Sequence, residues 1–149
     1  MTDTGRVLLT AGILSLSAGA VFARHLRRLD ADDATRIIGQ LRLAQAAAIV
    51  LAALGGARIG LAIAHEDQPL AHLDLFFGVA VTAFGAALLY REPAAALRLA
   101  AGGFIVVAML ELAHRPGSPW AAVAPIWFVA GSATYDLCAA AICFWASRR

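Results

Sequence analysis

The stretch LRLAQAAAIVLAALGGARIGLAIA, residues 41–64, decides the class of this protein. Its only charges are Arg42 near the start and Arg58 near the end, and the polar run HEDQPLAHLD, residues 65–74, follows at once. The hydrocarbon core of a bilayer is about 30 Å thick, so a helix needs roughly 20 mostly apolar residues to span it. Residues 41–64 have that length and end where water-seeking residues begin.

Working outward, the same alternation recurs. Apolar runs cover residues 7–24, 70–90, 93–113 and 120–146, with short charged segments between them. The pattern predicts an all-α, polytopic membrane bundle of five transmembrane helices, forming one domain over residues 1–149. Residues 25–40 carry the densest charge and, with Ile37, Ile38 and Leu41 at helical spacing, predict an interfacial segment leading into the second helix. Asp30, Asp32 or Asp33 is suited to cap it. The first run resembles a signal peptide in having Arg6, an apolar stretch and Ala18-Gly19-Ala20. Asp3 and a lone arginine make a poor positive head, so it reads as helix 1.

Composition agrees. Hydrophobic residues make up 61% of the 149 and charged residues 15%, against roughly 25% charged in a soluble domain. All 12 basic residues are arginine, and the net charge is +2. So small a charge gives no footprint for nucleic acid. Cys138 and Cys143 are five apart, which makes neither a CxxC motif nor a disulfide on one helix face, and they read as small packing residues. No phosphate-cradling loop, serine elbow or HExxH motif occurs.

Small residues mark the expected helix contacts. Gly12, Ser15 and Gly19 share a face of the first helix, Gly78, Thr82 and Gly85 a face of the third, and Gly56 and Gly60 form a GxxxG in the second. Trp120, Trp127 and Trp145 sit toward the ends of the last run, as interfacial aromatics do.

Five spans place the termini on opposite sides. One side receives Arg24, Arg27, Arg28, Arg36, Arg42, Arg91, Arg98, Arg148 and Arg149, the other only Arg6 and Arg115. Basic loops stay in the cytoplasm, so the N-terminus is expected outside and the C-terminus inside, in a bacterial inner (plasma) membrane.

The opposite rim then gathers His65, Glu66, Asp67, His72, Asp74, Glu111 and His114 at three helix ends. Imidazole and carboxylate together suit iron, copper or zinc. The expected ligands are His65, His72, Glu111 and His114, with Arg58 and Asp74 supporting them. Glu111 and His114 have the Glu-x-x-His spacing of di-iron bundles, but only once. Haem on His65 and His114 is the lesser option, since these histidines stand at helix ends.

Arg58 and Asp136 lie deeper. A charge at such depth must pair, snorkel or line a cavity. Arg58 is expected to pair across helices with Glu111 or Asp74. Asp136 is expected to pair with Arg98, Arg42 or Gln45. The two pairs together would form a polar path across the bilayer.

The leading functional expectation is a periplasm-facing metal or redox-cofactor site. The alternatives are an accessory subunit of a larger membrane complex and a small proton-coupled transporter working as an oligomer. Expected partners are the lipid bilayer, other membrane subunits or further copies of the chain.

Overall fold

The computed structural model describes residues 3–30, 33–66, 71–113 and 126–148. They form five helices: α1 (Asp3–Leu26), α2 (Ala34–Ala64), α3 (Ala71–Leu88), α4 (Pro93–Ala113) and α5 (Ile126–Ser147). All five are long and apolar enough to cross a membrane. The expected turn at Asp67 to Pro69, and His114, Arg115, Trp120 and Arg149, fall outside the described residues.

The helices alternate in direction. Gly55 and Gly85 of α2 and α3 meet Gly78 and Ala48 respectively, so these two run antiparallel. Gly12 of α1 meets Tyr135 of α5 and Gly19 meets Ile142, so these two run parallel. All described arginines of the turns and termini except Arg6 therefore gather at one end of the bundle.

At that basic end α2 begins on one of the three acids suited to cap it. Asp33 caps α2, its carboxylate accepting from the Thr35 amide at 2.7 Å. Helix then continues unbroken from Ala34, so residues 34–40 belong to α2. Its 31 residues span about 46 Å at 1.5 Å per residue, more than the hydrocarbon core requires. The extra turns have a use. Arg36 donates to the Arg148 carbonyl at 2.9 Å and the Leu29 carbonyl at 3.3 Å, and Gln40 donates to the Ala146 carbonyl at 2.8 Å. The last carbonyls of a helix have no partner within it. Here α2 supplies those partners and fixes the end of α5.

The core is built mainly from small residues. Phe104, Leu51, Leu97 and Val107 are fully buried among Ala48, Ala96, Ala100, Ala101, Ala108 and Ala140. Large apolar side chains, including Ile49, Phe76, Met109 and Leu137, instead point outward. That inversion suits a bundle surrounded by lipid, where burying Leu gains little and close backbone packing gains more.

The α2–α3 seam shows that close packing. A methyl at Gly55 would meet the Gly78 carbonyl and the Thr82 amide at 2.6 Å, and one at Gly85 would meet Ala48 O and Ala52 N at 2.8 Å. Thr82 donates to the Gly78 carbonyl within its own helix at 2.9 Å. The face expected of Gly78, Thr82 and Gly85 is thus in contact, as is that of Gly12 and Gly19. Gly56 and Gly60 differ: a methyl on either meets nothing within 4 Å. Gly55 makes the helix contact, and the GxxxG pair lies on the outer face, Gly56 about 100° and Gly60 about 140° round from it.

α1 is peripheral. It packs chiefly on α5 and only lightly on α2. Ser15 donates to the Tyr135 hydroxyl at 3.2 Å.

Candidate functional site

Packing at Gly55 brings α3 against α2 one turn before Arg58. Arg58 is thereby enclosed, with 6% of its surface exposed. Asp74, in the first turn of α3, and Glu111, in the last turn of α4, are equally buried. Arg58 Nη1 donates to Asp74 Oδ1 at 3.2 Å, and Nη2 donates to Glu111 Oε1 at 2.7 Å. The planar guanidinium offers its donors in a fixed fork, and each prong holds a different helix.

The two acids stand differently toward their helices. A helix N-terminus carries partial positive charge and its C-terminus partial negative charge. Asp74 is favoured by its own helix. Glu111 is disfavoured by its own and depends more on Arg58, which it meets at the shorter distance. The Arg58 Nε is also buried and has no hydrogen-bond partner among the described residues.

Asp136 lies half-way along α5 and is fully buried. Neither carboxyl oxygen has a hydrogen-bond partner among the described residues. Glu111 and Arg58 lie close enough to act on it electrostatically. The expected pairing with Arg98, Arg42 or Gln45 is not formed, and all three are exposed. The reason is helical phase. Leu97 and Ala101 lie on the buried stripe of α4, and Arg98, one residue on from Leu97, is turned about 100° away. Likewise the buried stripe of α2 runs through Gln40, Ala44, Ala47, Ala48 and Leu51, leaving Arg42 and Gln45 outside. Apart from Arg36 at the basic end, the buried charged groups are thus Arg58 with its two carboxylates and Asp136, which bonds to none of them among the described residues.

The histidines are dispersed among different settings. His65 caps α2 and is half-buried, with Nδ1 3.0 Å from the Leu61 carbonyl. A carbonyl only accepts, so Nδ1 carries the hydrogen of this contact and the neutral ring's Nε2 is left without one. His72 is exposed in the first turn of α3. His114 lies outside the described residues. Among those described, no group of three His, Cys, Asp or Glu side chains is placed to share a metal ion. Cys143 is buried as expected of a packing residue, whereas Cys138 is exposed; both are free.

Sequence reading passes over Arg36 and Gln40 as buried polar groups. The signal was available: residues 36, 40, 44, 47 and 51 recur at helical spacing and form one stripe.

No protein-family model, curated protein or solved structure matches the chain significantly. Five membrane-length helices in a compact bundle define its class, that of multi-pass membrane proteins.

Proposed function

We propose that this is a small bacterial inner-membrane protein that binds and releases a proton at Asp136 and uses the exchange to drive transport. One observation carries the reading: a fully buried carboxyl half-way along a membrane-length helix, with no donor to either oxygen among the described residues. Such a group needs a proton, a cation or a move toward a partner. The nearby arginine already holds Asp74 and Glu111. While it does so, it cannot also satisfy Asp136 as an anion. If Asp136 displaces Glu111 from Arg58, the displaced acid takes the proton that Asp136 gives up. Buried ionisable residues within membrane helices typically mark such paths.

The basic end of the bundle faces the cytoplasm in this proposal, because basic loops are retained there. The N-terminus is then periplasmic, and the Arg58 cluster lies toward the periplasmic side. Five spans do not divide into inverted repeats, so the carrier works as an oligomer. Gly56 and Gly60, exposed on α2, give a second copy a face for close approach.

The test is proton uptake into proteoliposomes containing a pH-sensitive dye, driven by a potassium diffusion potential. The wild type should acidify the lumen, and Asp136→Asn, checked for a monodisperse profile, should not. Unchanged uptake by Asp136→Asn would sink the reading.

A second reading keeps a transition metal, iron, copper or zinc, at the same rim on His65, His72, Glu111 and His114, or haem on His65 and His114. What favours it is the His65 ring, fixed through Nδ1 to a carbonyl as metal-binding imidazoles are. Metal per chain, measured on tag-free protein, decides it: near-stoichiometric metal supports the site, and none after reconstitution removes it.

A further inference from the structure

Arg98 stands on the lipid-facing side of the bundle at the mouth of an apolar groove of about 450 Å³ between α4 and α5. Ala101, Gly102, Ala140 and Ala141 line it with small residues, and Leu137 and Phe144 add bulk. A methyl at Gly102 would meet nothing within 4 Å, so the chain's own side chains leave the groove open at that point. The helices are antiparallel, so Arg98 is level with Phe144 near the basic end, and Leu137 lies deeper. The Arg148 guanidinium rests on the Phe144 ring at 4.3 Å. One arginine thus lines that end of the groove, and a second lies against the ring of a residue that lines it.

Arg98 lies five residues into α4, about 7.5 Å from its start. Among the described residues it has no hydrogen-bond or ion-pair partner. An arginine at such a level in a lipid-facing wall needs a counter-charge or must snorkel to the headgroups. Basic pockets between helices on the cytoplasmic side are suited to anionic headgroups. The groove supplies what a free anion would not use, an apolar bed continuing inward from the charge.

We infer that this groove holds an anionic phospholipid of the surrounding bilayer, its phosphate on Arg98 and Arg148 and one acyl chain laid along Gly102 toward Leu137. The inference is independent of the role of Asp136. A second copy of the chain is the competing occupant, and charge argues against it: a copy presenting this same face would set arginine against arginine.

The experiment is native mass spectrometry of the full chain in mild detergent with dioleoyl-phosphatidylglycerol or dioleoyl-phosphatidylcholine. Phosphatidylglycerol should be retained preferentially, and Arg98→Gln should weaken its retention roughly fivefold. Gly102→Leu, which fills the groove and leaves both arginines in place, should also displace the lipid. Glycerol phosphate, the free headgroup, should not compete. Equal retention of the two lipids, retention unaffected by Arg98→Gln, or competition by glycerol phosphate would overturn the inference. So would a Gly102→Leu variant that loses a dimer rather than a lipid.

Discussion

Gly55 and Gly78 face one another backbone to backbone: a methyl on the first would meet the carbonyl of the second at 2.6 Å, and the reverse distance is 2.9 Å. This contact sets the separation of α2 and α3, and so the reach from Arg58 to Asp74. Gly78→Val should lower stability by about 1–3 kcal/mol, the usual cost of overpacking. Gly56→Ala, where the space is open, should be neutral or stabilise by up to about 1 kcal/mol, as Ala is favoured over Gly in a helix. Thermal unfolding in detergent compares them; equal losses would show that the seam is not where backbone approach matters.

Arg58→Met leaves Asp74 and Glu111 without their shared guanidinium. Removing one partner from a buried ion cluster typically costs about 3–5 kcal/mol. The triple variant Arg58→Met, Asp74→Asn, Glu111→Gln should recover most of that loss. A triple variant as unstable as the single one would mean that the fork matters as packing volume rather than as charge.

Asp136 should show the opposite sign. A buried polar group without partners costs about 1–3 kcal/mol, so Asp136→Leu should raise the unfolding temperature while Asp136→Asn abolishes proton uptake. A destabilised Asp136→Leu would point to a partner for the carboxyl in the folded protein.

Gln40→Ala removes the amide that holds the Ala146 carbonyl. The expected loss is about 1 kcal/mol, with faster hydrogen exchange confined to the last turn of α5. Unchanged exchange there would assign Gln40 no part in fixing that helix end.

The spans themselves were readable because a bilayer imposes a length on apolar runs, and 41–64 satisfies it with little ambiguity. The start of α2 was readable too, from Asp33 as a cap and the helical spacing of Ile37, Ile38 and Leu41, but the docking of Arg36 and Gln40 onto α5 was not, because it depends on where the last helix lies. Arg58 reads as a buried charge from its position alone, and its acids follow from alternation, which sets Asp74 and Glu111 at the same end. Which side of its helix Asp136 faces does not follow from composition. Arg98 is at a plausible distance along the chain, yet helical phase turns it to the lipid. Gly55 and Gly56 show the same limit: only the angle of approach of α3 tells which of two adjacent glycines is used.

The parallel pairing of α1 with α5 bears on how the chain comes to be assembled. Ser15 and Tyr135 are 120 residues apart, so α1 finds its main neighbour only after α2, α3 and α4 have been made and α5 is finished. Contacts between such distant segments form late, after a large loop has been closed. During synthesis α1 must therefore wait in the bilayer while α2, α3 and α4 associate, and the nascent protein remains an open assembly until α5 arrives. A chain cut short before α5 would leave Arg36, Gln40 and the inner face of α1 without their counterparts, exposed to quality-control proteases and to mispairing with other membrane helices.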